Sequence, residues 1–451
     1  MSDTSAAAQL QTPAGEEGAV AAFEAFVDAA DEPELLLRHR RDGLARYTEL
    51  PMPTRKSEEW RYTDLSGLEP ERFQPIAPEA RRQMDREDLP EAIRAVLGTA
   101  QRRSAIFVEI DATPVYQQLD PELDAAGVVY LPIGEAARSR PALLGRFLFA
   151  SDVPAMEAKL WALHVALLSN GYLLYIPRDV VIPHPVHTLR YFGRGGTVLS
   201  WHSLIVAEAG AEVTCVDEYL SPDLKDTSLS LAGTEIFGGD SSTVRYLSLQ
   251  RYGARVKHFA MQHATARRDS RLSGVNVTLG GDLSRADVTS RLVGPGSESE
   301  MLALWFGDRD QHFDHHTLQH HAAPHARSDL LYKGALTAAA RSVFRGLIRV
   351  DKGAQLTDAY QTNRNLLLSN ESHATTLPNL EIEADDVRCS HGATVGQVDE
   401  GQLFYLMSRG LSRPQAERLL VSGFFHEVLS RVPVEGVQER IRLAIQEKIG
   451  I

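Results

Sequence analysis

Cysteine is nearly absent from the sequence: its 451 residues hold two, Cys215 and Cys389. Two thiols exclude a disulfide framework and any four-cysteine metal site built from this chain alone. A basic surplus is also missing. Lys plus Arg number 47 against 60 Asp plus Glu, a net charge of -13, so phosphate backbones and anionic lipid find no electrostatic match, and neither nucleic acid nor a membrane is an expected partner. No long apolar run exists either: the most apolar window, Leu160 to Ile176, is interrupted by His164, Ser169, Asn170 and Gly171, too polar and too short to span a bilayer. Met1 to Val20 has neither the basic flank and apolar stretch of a secretory signal nor the arginines of a transit peptide, which makes the cytoplasm the default location. Walker A loop, Rossmann glycine fingerprint, nucleophile elbow and HExxH pair are all lacking, which removes the main support for the common enzyme classes.

What is present is a globular composition, 43% hydrophobic and 24% charged, with a change of pattern along the chain. Residues 1–15 have no period and read as a disordered leader. Residues 16–170 read as a mainly helical N-terminal domain. Phe23, Phe26, Val27 and Ala30 share one helical face, and Leu36, Leu37, Leu44 and Tyr47 a second; short strands are expected at Ile106 to Ile110 and Val128 to Ile133, and a helix over Met156 to Leu168. Residues 171–396 consist of short β-prone runs separated by Gly, Asp and Ser. Within them Gly210-Ala211-Glu212-Val213-Thr214 is echoed by Gly353-Ala354-Gln355-Leu356-Thr357. A Gly-Ala corner ahead of an apolar-Thr strand suits a coil of stacked strands, so a parallel β-helix is the expected core, with a long Greek-key sandwich as the alternative. Residues 397–451 return to helix: Asp399 is an N-cap, Gly410 a stop, Ser412 and Gln415 have capping-box spacing, and Val437, Ile441, Ala444 and Ile445 form a last apolar face. Such helices after a solenoid either cap its open end or dock a partner.

Two groups invite chemistry. His312, His315, His316, His320, His321 and His325, with Asp308, Asp310 and Asp314 among them, carry ligand types suited to zinc, iron or nickel. In a strand, however, neighbours such as His315 and His316 point to opposite faces and cannot serve one site. The second group is Cys389-Ser390-His391-Gly392-Ala393-Thr394. One thiol and one imidazole cannot complete a metal site, so further ligands would come from another chain or an exogenous thiol. Cys215 lies in an apolar run and reads as core.

Pro53-Thr54-Arg55-Lys56-Ser57-Glu58-Glu59-Trp60-Arg61-Tyr62-Thr63-Asp64, Ser328-Asp329-Leu330-Leu331-Tyr332-Lys333-Gly334, and Cys389 to Gly396 followed by Gln402-Leu403-Phe404-Tyr405-Leu406 and Arg409-Gly410 together resemble the SufB/SufD family of iron-sulfur cluster assembly scaffolds of the SUF system. The likeness runs from about Phe23 to the C-terminus. It implies a right-handed parallel β-helix flanked by N- and C-terminal helical domains, pairing of the SufB and SufD β-helices, and docking of the ATPase SufC on the C-terminal helices, with Phe404, Tyr405, Arg409 and Gly410 in the docking region. The run Thr362 to Leu368 lacks the cysteine of SufB-like chains, so the resemblance is to the SufD branch. It carries His391 over as a candidate ligand for iron or a nascent cluster shared with SufB, with Cys389 beside it. It also implies a non-catalytic role fuelled by SufC, sulfur from a cysteine desulfurase through SufB, and flavin on the complex; separately, the exposed edge of a solenoid favours a homodimer when partners are missing. The rival readings are a metal-dependent enzyme using His312 to His325 and a purely structural SufC adaptor.

Overall fold

The computed structural model describes residues 16–77, 81–99, 102–154 and 158–449; the expected leader, residues 1–15, lies outside them, as does Met156. The chain is mainly β. From Asn170 to Gln397 it winds through eight coils, each giving one strand to each of two parallel sheets. Sheet A runs from Asn170–Ile176 through Thr197–Ala207 and every second strand to His373–Ile382; sheet B runs from Val186–Tyr191 through Glu212–Leu220 to Arg388–Gln397. This is the expected parallel solenoid, and the sandwich alternative falls because each strand pairs in parallel with the strand two places along the chain.

The corners explain how so varied a sequence keeps one coil. Asp179, Gly210, Ser241, Asp269, Gly296, His325 and Leu356 all have positive φ and recur every 27 to 31 residues. Each N–H donates to a backbone carbonyl of the next coil, from Asp179 to Ala209 at 2.9 Å through to Leu356 to Asp386 at 2.6 Å. A left-handed residue at the same corner turns the chain, and stacking satisfies its backbone. The Gly210 and Gly353 echo lies at this corner in both copies, but Leu356 is the corner residue and 49% exposed, whereas Val213 is fully buried in its strand. The second copy's strand therefore begins later, at Asp358.

The two ends of the solenoid differ. At the N-terminal end, Ala105–Ile110 joins sheet B and pairs antiparallel with Thr113–Leu119, while Val129–Pro132 runs antiparallel along the first strand of sheet A. These strands of the N-terminal segment thus extend the sheets and stop them with short edges that carry prolines, Pro114 and Pro132. The helices Glu34–Glu49 and Ala158–Ala166 pack together over the outer face of sheet A, where Gly43 permits backbone contact with Ala166 and Arg40 donates to the Ala166 and Leu168 carbonyls. The C-terminal helices Arg413–Leu429 and Glu435–Lys448 fold back over the outer face of sheet B, placing Val421, Phe425, Val428, Ile441 and Ile445 against Leu247, Val277, Leu304 and Leu331. They do not cap the coil: their apolar stripes match the apolar outer face of sheet B. The last coil is left open.

Candidate functional site at the open end of the solenoid

The last strand, Arg388–Gln397, pairs on one side only, with Asp358–Leu367. Its register sets Cys389 over Ala359, His391 over Gln361, Ala393 over Asn363 and Val395 over Asn365. Ala359, Gln361, Asn363 and Asn365 are buried interior residues, so the alternation of the strand aims Cys389, His391, Ala393 and Val395 along the same inward-facing column. With no ninth coil above them among the described residues, His391 is exposed, Val395 is 42% exposed, and Ile382 on the facing end strand is 40% exposed. Cys389 is half-buried against Ile348, Val350 and Ala384. Burial pushes its thiol above the ordinary range, only partly offset by the Ala359 backbone, so by itself it is a protonated thiol and a weak ligand. His391 has no hydrogen-bond partner among the described residues, which leaves both ring nitrogens open to an incoming group. The floor beneath it is polar: Asn365 donates to Asn363 at 2.7 Å, Asn363 to the Tyr332 carbonyl at 3.2 Å, and both polar atoms of the Gln361 side chain are buried without a partner among the described residues. Gln361, Asn363 and Asn365 were missed as neighbours of His391; the coil repeat of about thirty residues would have found them.

The histidine run divides as its strand period requires. His315 and His321 face inward, His315 stacked on Trp305 with centroids 4.3 Å apart and bonded to Thr278, His321 bonded to Ser328 at 2.7 Å. Burial drives both rings down to about 4. His312, His316 and His320 face outward, bonded to Thr63, Asp314 and Asp351 respectively, and His325 is the corner residue of its coil. No group of three or more His, Cys, Asp or Glu positioned to hold a metal ion is found among the described residues.

The other motifs have packing roles. The Trp60 segment lies on the outer face of sheet A, its indole 3.7 Å beneath the guanidinium of Arg285, while Arg55 and Lys56 are exposed. Arg285 is bidentate to Asp287 and also bonds Asp314 and the Glu59 carbonyl, and the Thr63 hydroxyl donates to Asp314 at 2.6 Å. In the Ser328 to Gly334 strand, Lys333 reaches outward to the Phe424 carbonyl at 2.9 Å and to Glu427 at 2.7 Å, anchoring the helix Arg413–Leu429. A Cβ at Gly334 would collide with the Trp305 ring.

The helix Glu400–Ser408 starts at Asp399, whose carboxylate accepts the Gly401 and Gln402 N–H groups, and ends at Gly410 with φ +93°. It buries Leu403 and turns Phe404 (74% exposed), Tyr405 and Met407 outward, with Leu419 of the next helix also exposed. Arg409 lies over the Tyr405 ring at 5.2 Å. An outward cluster of large apolar side chains on a short helix is a surface that favours a partner.

Comparison with known proteins identifies the family. The family description "SUF system FeS cluster assembly, SufBD core domain" matches residues 191–424, and "SufBD protein N-terminal region" matches residues 23–188. The chain belongs to the SufB/SufD family. Its similarity to the SufD branch is direct: the iron-sulfur cluster assembly protein SufD of Bacillus subtilis is 30% identical over 432 residues, 95% of this chain and 97% of that protein. A SufBD family protein of Mycobacterium leprae is 34% identical over 291 residues, covering 62% of this chain and 73% of its own length, and one from Staphylococcus saprophyticus is 27% identical over 434 residues, 93% of this chain and 90% of its own. This SufD homologue is therefore a component of SUF iron-sulfur cluster assembly. Among the described residues, no helix is long and apolar enough to cross a membrane.

Proposed function

We propose that this chain is the non-catalytic SufD scaffold of a cytoplasmic SufB–SufC–SufD complex, in which its open end meets the β-helix of SufB and the Phe404 surface holds one SufC. The observation that carries the reading is His391: an unpartnered imidazole on the inward column of an uncapped coil, flanked by two unpaired strand edges. Edge strands of ten residues are templates for pairing with another chain. An imidazole at such a junction can share iron or a nascent cluster with a partner's thiolate. Cys389, a protonated thiol two residues away, supports the site as a neighbour whose ligation would need a metal to lower its pKa. The cluster is cargo, assembled from sulfur delivered by a cysteine desulfurase through SufB; flavin, where present, belongs to the complex. Without SufB the same edges favour a homodimer. SufC dimerising on ATP would pull on the two docking helices and shift the SufB–SufD junction, a two-state coupling driven by nucleotide.

The test is reconstitution. SufB and SufC are purified anaerobically with and without this chain, and iron and acid-labile sulfide are measured after supply of iron, cysteine, desulfurase, a dithiol reductant that takes the delivered persulfide sulfur to sulfide, and ATP. Cluster formation that needs this chain and ATP supports the proposal. Equal cluster yield without the chain contradicts it.

A further inference from the structure

A groove of about 370 Å³ runs along the outer edge of sheet A, far in sequence from His391, under the turn that follows the helix Pro141–Phe147. Four arginines line it, Arg146, Arg178, Arg267 and Arg291, each from a different element, together with Phe147 and Phe237, whose ring centroids are 5.2 Å apart, and the Arg146 guanidinium lies 4.8 Å from the centroid of the Phe147 ring. Arg291 pairs with Asp152 at 3.1 Å, yet its Nε is buried with no hydrogen-bond partner among the described residues, as is the Ser151 hydroxyl oxygen. Among the described residues Arg146, Arg178 and Arg267 have no carboxylate within ion-pair distance. Three carboxylates line the groove, Asp152, Glu208 and Asp240, so it carries a positive surplus in a chain whose net charge is -13.

The turn that supplies Ala150, Ser151 and Asp152 to the groove is held in place from behind. Phe149 is held at φ +55°, a conformation that a bulky side chain rarely adopts. The fully buried Glu235 secures it, accepting the Phe149 N–H at 2.6 Å and the Ser151 N–H at 2.7 Å, while His202 Nε2 lies 3.2 Å from the same carboxylate. Burial alone would raise the Glu235 pKa; His202 and the Ser151 bonds more than reverse this and hold it below the ordinary carboxylate range. Strain kept by a buried charged network is a mark of a functional position.

We infer that this groove binds a small organic phosphate carrying a planar ring, of the kind a nucleoside diphosphate represents. Arginines recognise phosphate oxygens through paired N–H donors, the volume falls within the range of about 300–1,000 Å³ usual for small-molecule sites, and the half-buried Phe237, beside the Phe147 ring that Arg146 covers, offers an aromatic surface for a planar ring. The test uses the purified full-length chain alone and titration calorimetry with three probes: ADP, inorganic pyrophosphate and adenosine. ADP is expected to bind, pyrophosphate more weakly, and adenosine not at all. Arg178→Ala and Arg267→Ala, both at exposed positions, are each expected to weaken ADP about tenfold with unchanged melting temperature. No ADP binding at millimolar concentration overturns the inference, as does undiminished binding in the Arg178→Ala/Arg267→Ala double variant. Pyrophosphate binding as tightly as ADP overturns the role of the rings.

Discussion

Replacing Arg285 by methionine keeps an unbranched side chain but deletes the charge that joins the Trp60 segment to the solenoid. Arg285 is fully buried, makes two bonds to Asp287 at 2.9 and 2.8 Å, and one each to Asp314 and the Glu59 carbonyl at 3.0 Å. The variant strands Asp287 and Asp314, whose side chains are 6% and 1% exposed, in a pocket without their guanidinium. Removing one partner of a buried ionic group costs about 3–5 kcal/mol, and loss of a desolvated cation–π contact adds up to about 2 kcal/mol. Against a total stability of about 5–15 kcal/mol, the loss is large. In urea, with a slope of about 3 kcal/mol/M, the midpoint of the solenoid transition should fall by roughly 1–2 M. The triple variant Arg285→Met/Asp287→Asn/Asp314→Asn should recover at least half of that loss, because the penalty comes from stranded charge. In the wild type, burial would raise the Asp314 pKa, but His316, Arg285 and the Thr63 hydroxyl hold it well below the carboxylate range. Its contribution is therefore complete above the unfolded value of about 3.9 and is lost only as the pH falls through the depressed folded value. A midpoint shift equivalent to less than about 1 kcal/mol, or a triple variant no more stable than Arg285→Met, would refute the reasoning.

Three further outcomes are expected. Lys448 bonds the Leu279 carbonyl and Gln311 and pairs with Asp308 at 3.1 Å, and burial, against Asp308, takes its pKa down to about 8. Since the unfolded lysine titrates near 10.4, the unfolded state binds the extra proton between these values, so stability should rise from about pH 8 to 10 by on the order of 3 kcal/mol; denaturant melts of wild type beside Lys448→Met check this, and equal slopes in both would contradict it. Gly233→Ala would drive a methyl into His164 and His202, which share a bond of 3.0 Å, and should cost about 1–3 kcal/mol; an unchanged thermal midpoint would contradict that close fit. Phe404→Asp/Tyr405→Asp should leave stability within about 0.5 kcal/mol because both side chains are exposed, while abolishing co-purification with SufC; retained co-purification would remove this surface from the docking account.

The sequence carried the terminal helices well because local chemistry decides them. Asp399 caps its helix, Gln415 accepts the Ser412 N–H at 2.8 Å, and Gly410 ends a helix with positive φ. The solenoid was legible through short β-prone runs, but its repeat was visible in two corners out of seven. The corner demands a conformation rather than a residue type, and Asp179, Ser241, Asp269, His325 and Leu356 meet it without glycine. Where the helices lie was not legible: an apolar stripe says that a helix face is buried, and only the equally apolar outer face of sheet B says against what. At the candidate site, Cys389 and His391 were legible from their motif, whereas their exposure was not, since it depends on the helices after Gln397 lying on the outer face of sheet B instead of over the end of the coil. The alternation of His315 and His316 shows the same period seen from the other side: a dense histidine run becomes two sets with separate partners.

His391 at the open end carries the chemistry proposed for this chain. The most direct measurement is the iron and acid-labile sulfide content of anaerobically purified SufB–SufC–SufD complex, wild type beside His391→Ala, with assembly followed by size exclusion. The expected result is loss of cluster in an intact complex, because the substituted side chain is exposed and bonded to nothing in the fold. Unchanged cluster content in the His391→Ala complex would contradict the account and move the chemistry wholly to SufB.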